Sequence, residues 1–233
     1  MKRWILTGLL ALGAAATLPA AAATSWADVG KWPDFQGGLW VQQRGPRGNA
    51  TAPAYVPAVA AKLAALGPIA PETLGNANCE PLEGPFERIG EIFYSKDSIF
   101  MIDDEDFQSV RHIHLDTRDH GSPDPSYFGH SVGHWEGDTL VVDTVAFLPG
   151  VTLAPKVPGQ GATHGVERFR LIAPDTLEQT VTLDNPLVLT KPFTEVHRYK
   201  LRRDLHVQEA FCAQNNRDLP VDGQPHLDLT APR

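Results

Sequence analysis

From Phe86 onward apolar residues recur at alternate positions, and this alternation constrains the chain more than any other feature. A strand turns successive side chains to opposite faces, so a period of two predicts half-buried strands. The candidate strands are 87–94, 98–103, 107–115, 130–136, 139–147, 165–172, 176–183, 193–202 and 206–212. Glu136-Gly137-Asp138 and Ala173-Pro174-Asp175 supply tight hairpin turns. No helical pattern separates these runs, so parallel βαβ units are not expected. The expected fold is mainly β, an antiparallel meander closing into a lipocalin-like barrel, with a sandwich as the alternative. Ala-rich apolar positions at helical spacing predict one N-terminal helix over about residues 56–66, stopped by Gly67-Pro68. Residues 24–54 read as an extended lead-in with a short strand between Phe35 and Gln42. Residues 116–129 and 148–164 read as long loops, which often carry function.

The N-terminus predicts export. Lys2 and Arg3 precede the apolar run Trp4 to Leu12, and Leu18-Pro19-Ala20-Ala21-Ala22-Ala23 offers A-x-A cleavage sites. Residues 1–23 therefore read as a signal peptide and 24–233 as a single β-rich domain, periplasmic or secreted. The alternative is an N-terminal anchor, but the apolar core is short for a ~30 Å bilayer core, and no later stretch approaches ~18 apolar residues. Removing Lys2 and Arg3 leaves 18 of the 20 Lys+Arg against 28 Asp+Glu, and the formal charge moves from −8 to −10. That balance disfavours nucleic acid and, after cleavage, anionic membranes as partners. Oligomeric state is not readable. In an oxidising compartment Cys79 and Cys212, the only two cysteines, most simply pair. Such a bridge closes a loop on the order of a hundred residues, worth about 4–5 kcal/mol on the chain-entropy model. The rival reading is a reactive thiol plus a spare.

Alternation also assigns side chains to faces. One face of 193–201 reads Phe193, Glu195, His197, Tyr199, Leu201; one of 141–147 reads Val141, Asp143, Val145, Phe147; one of 207–211 reads Val207, Glu209, Phe211. Each apolar stripe carries a carboxylate, which burial makes costly unless paired. Several lining one cavity would form an acid/base apparatus. Alternatively they pair with Arg168, Arg170 or Arg198 as structural salt bridges, and Glu167-Arg168 is a further candidate ion pair.

Histidine is the second signal, with nine in the chain. His112 and His114 share one strand face, His120 follows on the next loop, and His130 and His134 share a face of the next strand. An H-x-H pair with a distant third His can hold Zn, Fe or Cu, so His112, His114, His120 and His130 form a candidate metal set. Ser131 beside His130 invites a nucleophile reading, but no helix follows Ser131, as a strand-to-helix nucleophile elbow requires.

The run Gly129-His130-Ser131-Val132-Gly133-His134-Trp135-Glu136-Gly137-Asp138-Thr139-Leu140-Val141-Val142-Asp143-Thr144 resembles a widespread, largely uncharacterised family of secreted bacterial proteins with the motif G-x-S-x-G-x-W-E-G-D-T-L-V-V-D-T. Arg111, Asp116-Thr117-Arg118-Asp119-His120, Val166-Glu167-Arg168-Phe169, Asn185-Pro186, Lys191-Pro192-Phe193, and Cys212 with Asn215-Asn216-Arg217 extend the likeness over about residues 79–218. Thr117 and Gly121 depart from the family's D-G-R-x-H-P, and His112 and His134 stand where it often has Arg. The resemblance implies export and a β-barrel but no agreed reaction. By itself Trp135-Glu136-Gly137-Asp138-Thr139 reads first as a hairpin with a core Trp.

These readings converge on an exported enzyme performing cofactor-independent acid/base chemistry on a ring-containing, fairly apolar small molecule. Elimination, hydration, isomerisation and hydrolysis all stay open. His114 or His120 would move the proton with Asp116 orienting it, and Asp143, Glu195 or Glu209 would be the partner acid. Glu167 and His197 complete the catalytic candidates. Arg118 and Arg168 would hold a substrate oxygen, with His130, Ser131, Trp135 and His164 as further binding candidates. A lipocalin-like carrier of a hydrophobic ligand and a His-ligated metalloenzyme are the alternatives.

Overall fold

A computed structural model describes residues 26–43, 52–65, 84–86, 89–103, 109–149, 152–154, 157–158 and 162–208. Cys79, Cys212, Glu209 and the residues read as a signal peptide lie outside the described residues. The helices are α1 (Trp26–Val29) and α2 (Pro57–Ala65). The strands are β1 (Leu39–Gln42), β2 (Glu91–Tyr94), β3 (Ser98–Asp103), β4 (Ser109–His114), β5 (His130–Glu136), β6 (Thr139–Val145), β7 (Thr152–Ala154), β8 (Val157–Pro158), β9 (His164–Ala173), β10 (Thr176–Asp184) and β11 (Phe193–Arg202). No described helix is long and apolar enough to cross a membrane.

Nine strands form one sheet in the order β1-β11-β10-β9-β6-β5-β4-β3-β2, and it curls into a nearly closed barrel. Its two edges meet at one bridge, where Trp40 N donates to Gly90 O at 3.0 Å. The chain leaving β11 reinforces that seam. Leu205 O accepts from Leu39 N at 3.1 Å, and the Glu91 carboxylate accepts from Val207 N at 3.0 Å and bonds His206 Nδ1 at 2.8 Å. No strand forms over 206–208, contrary to the expected run 206–212.

The expected meander holds for most neighbours, with one correction. β4 and β5 pair in parallel, overlapping only at Ile113 with Ser131 and His114 with Val132. The link between them carries no helix, so the usual signature of a parallel pair is missing from the sequence. The end of β4 lies beside the start of β5, so the intervening loop leaves and rejoins the sheet at nearly one level, in the manner of an Ω-loop. The β5–β6 hairpin turns on Gly137-Asp138, with Gly137 at φ +60°, a conformation glycine adopts without steric cost.

That hairpin also corrects a face. Its register sets Ser131 opposite Thr144, Gly133 opposite Val142 and Trp135 opposite Leu140, and β9 sets Glu167 opposite Val142. Leu140, Val142 and Thr144 point into the barrel, each fully buried. Val141, Asp143 and Val145 therefore point outward. Phe147 was expected beside them but is buried inside. Ala146, at φ +59°, breaks the alternation just after β6.

The interior holds two apolar clusters. One includes Phe35, Ile92, Ile99, Ile113, Leu140, Phe169 and Leu177, and the other includes Phe86, Phe147, Val181, Leu183, Val188 and Phe193. Leu153 of β7 and Val157 of β8 belong to the second cluster, so part of the expected loop 148–164 packs into the core. Helix α2 matches its expected range to within a residue at each end, yet buries no residue fully; Val59 packs against the second cluster.

Candidate active site

Between the apolar clusters lies a polar layer built from inward positions of β4, β5, β6, β9, β10 and β11. Arg111 and Glu167, both buried, form a two-point ion pair, with Nη1 to Oε1 at 3.0 Å and Nη2 to Oε2. Arg111 Nη2 also donates to Ser131 Oγ at 3.1 Å and Thr144 Oγ1 at 3.0 Å. Gln179 Nε2 donates to Glu167 Oε1 at 2.8 Å, and Tyr199 OH donates to Gln179 Oε1 at 2.7 Å. Glu195 bonds His197 Nε2 at 3.0 Å, and His197 Nδ1 meets Gln42 Nε2 at 3.0 Å. Buried ionic groups persist when such partners satisfy them. The interior thus holds Glu167 and Ser131 within one bonded set, while Glu195 and His197 form a separate pair that reaches exposed Gln42.

The other candidates gather on the outer face. Asp143 stands between Val132 of β5 and Val166 of β9 in register. Its Oδ1 accepts from His120 Nε2 at 2.8 Å and its Oδ2 from His164 Nε2 at 2.7 Å. His120 reaches in from the loop after β4, and its Nδ1 lies 2.9 Å from His130 Nδ1. The His130 ring stacks on His114 (4.9 Å between centroids, 20° between planes), His114 meets His112 at 3.9 Å, and His112 stacks on Phe100 at 4.7 Å and 14°. His112 Nε2 bonds Ser98 Oγ at 2.7 Å. Asp116 Oδ1 is 3.9 Å from His114 Nδ1. One continuous row thus runs over β3, β4, β5, β6 and β9.

Electrostatics separates the members of this row. Burial alone would raise the Asp143 pKa, but hydrogen bonds from His164 and His120 together outweigh it and hold the carboxyl below its ordinary 3.8. The Asp143 hydrogen bond raises His164 above its ordinary 6.5, against burial. Burial, then the neighbouring His114 and His120, lowers His130; burial, then His114, lowers His112. An ionised Asp143 only accepts, so His120 and His164 must each carry hydrogen on Nε2. With His120 and His130 both neutral, His120 Nδ1 is then bare and His130 Nδ1–H donates to it. This leaves His130 Nε2 as a lone pair with no bond to it among the described residues. The arrangement is a carboxylate–imidazole–imidazole relay ending in a base.

Arg118 is exposed on the loop that carries His120, with no ion pair among the described residues. Arg168 lies outward on β9 but is spoken for: Nη2 donates to Glu136 Oε2 at 2.7 Å, and His134 Nε2 bonds the same carboxylate at 3.2 Å. Neither Arg170 nor Arg198 pairs with a candidate carboxylate; both meet Glu178. Trp135 packs inward against Trp32 and Phe35, its indole N–H buried without a partner among the described residues. Among the described residues no three His, Cys, Asp or Glu side chains converge as metal ligands; the four expected ligands His112, His114, His120 and His130 contact one another as rings. Arg111, the partner of Glu167, enters the sequence reading only through the family likeness. Its alternation with Ile113 in β4 and Leu115 just beyond it is the available signal. No family model, curated protein or solved structure matches the chain in comparisons with known proteins.

Proposed function

We propose that this chain is an exported enzyme that performs acid/base chemistry on a ring-containing small molecule, at the histidine row on the outer face of the barrel. The observation that carries this reading is the Asp143–His120–His130 relay. His130 Nε2 takes a proton from the substrate, His120 accepts the His130 Nδ1 hydrogen bond, and Asp143 stabilises the positive charge that develops across the two rings. His114, stacked on His130, is the complementary acid, with Asp116 Oδ1 3.9 Å from its Nδ1 as counter-charge. Arg118, exposed on the same loop, holds a substrate oxygen. Glu167 drops out of the catalytic set because its bonds are closed inside the barrel, and Glu195 and His197 drop out because they bond each other and Gln42, away from the histidine row.

Deuterium wash-in tests this without a named substrate. The protein is incubated in D2O with a panel of cyclic ketones, enones and hydroxy acids, and exchange is followed by proton NMR. Catalysed exchange in at least one compound, lost in His130→Gln, is the expected result; equal exchange in that variant would sink the assignment. Stoichiometric Zn, Fe or Cu in the purified protein would move the reading to the metalloenzyme alternative. A carrier is less well supported, because apolar clusters and a bonded polar layer occupy the barrel interior.

A further inference from the structure

Residues 116–125 form the outer part of the loop between β4 and β5, and most of them are exposed. Their remaining hydrogen bonds are local: Thr117 with Asp119, and Gly121 N to Asp119 Oδ1 at 2.9 Å. Among the described residues, two side chains tie the segment to the barrel. Asp116 does so loosely, 3.9 Å from His114 Nδ1, and His120 does so at both ring nitrogens.

We propose that His120 is a protonation-controlled latch, which holds this loop on the outer face while either His120 Nδ1 or His130 Nδ1 is bare and releases it when both carry hydrogen. Two ring nitrogens 2.9 Å apart can share a hydrogen bond only if one of them lacks a proton. Once both rings are charged, that contact becomes two N–H groups pointing at each other. The surrounding charges cannot compensate. His120 faces Asp143 from β6, His130 from β5 and, across the same carboxylate, His164 from β9. Behind these stand His114 and His112 of β4, with Asp184 of β10 near His164. On the loop itself, Asp116 lies toward His114 and Asp119 bonds Gly121. Asp143, with only Asp184 near His164 to assist it, would then face three imidazolium ions. Because burial and the neighbouring rings keep His130 low, release falls on the acid side of the ordinary histidine value.

The latch deepens the proposed function by regulating access to the same row, yet its test needs no substrate. Backbone 15N heteronuclear NOEs on the full chain compare residues 117–123 with β6 at pH 7.5 and pH 5.0. Both should be rigid at pH 7.5. At pH 5.0 the loop values should fall about twofold or more while β6 holds. His130→Gln places an uncharged amide opposite His120, so the loop should stay rigid at both values. His120→Ala should leave it mobile at both. A loop that remains rigid at pH 5.0, a pH step that survives in His130→Gln, or a rigid loop in His120→Ala overturns the latch. Loss of all deuterium wash-in would overturn the enzyme reading and leave these measurements unaffected.

Discussion

The polar layer inside the barrel and the row on its outer face are built from similar materials but arranged to opposite ends. Inside, Glu167 meets Arg111 at two points and Gln179 at a third, and Ser131, Thr144 and Tyr199 bond within the same set. Outside, Asp143 is shared by two imidazoles, and the relay ends in a nitrogen with no bond among the described residues. A network whose members are bonded to one another fixes a shape; one with a free lone pair beside solvent can exchange protons. The comparison teaches that burial of a carboxylate is a poor guide to chemistry unless its partners are counted.

Removing a partner from each network should sharpen that contrast. Glu167→Ala strands the Arg111 charge in the interior and should cost about 3–5 kcal/mol in urea unfolding. An unchanged midpoint would mean that the interior layer is not what holds the barrel. His130→Gln should lower proton exchange by roughly 10²–10⁴-fold, with little change in the same unfolding curve. If it destabilised the fold as much as Glu167→Ala, the outer row would be structural too.

The pH dependence distinguishes the two regions next. His164 has a raised folded pKa, so its bond to Asp143 stabilises fully below the unfolded value of about 6.5 and is lost as pH rises through the raised value. Asp143 has a lowered folded pKa, so its contribution is present above its ordinary 3.8 and is lost as pH falls through the depressed value. Wild-type unfolding midpoints should therefore exceed those of His164→Gln between about pH 4 and pH 6.5, and the gap should close by pH 9. A constant gap across that range would remove the ion pair from the account. The smallest effect is expected for Arg168→Ala. Its partner Glu136 and the arginine are both about half exposed, and such surface pairs contribute about 0–1 kcal/mol.

Strands 98–103, 130–136 and 193–202 match their observed bounds, because turn residues such as Asp97, Gly129, Gly137 and Pro192 flank them. The 193–201 stripe also points inward as expected, with Phe193, Glu195, Tyr199 and Leu201 buried. Asp143 was placed on the wrong face because Leu140-Val141-Val142 is apolar throughout, so either register fits. Ala146 hid the error by returning Phe147 to the core one residue out of phase. The histidines were legible as a group, but their convergence with Asp143 and His164 depends on the parallel step between β4 and β5, which no local pattern announces. Much of the long motif proves to be barrel framework: Ser131, Gly133, Leu140 and Thr144 face inward, and Gly137 makes a turn. From it, the row takes His130 and Asp143.

The seam has a consequence for how the molecule is made. β1 finds its partner in β11, far along the chain, and the staple beyond β11 comes later still. A ribosome delivers the N-terminal end first, so the Leu39–Gln42 edge must wait unpaired until nearly the whole chain has emerged. Pairing of such distant segments is intrinsically slow, and unpaired edges invite aggregation meanwhile. Closure of the barrel is thus a late event in the life of each new chain, and the interval before it is when a chaperone has the most to protect.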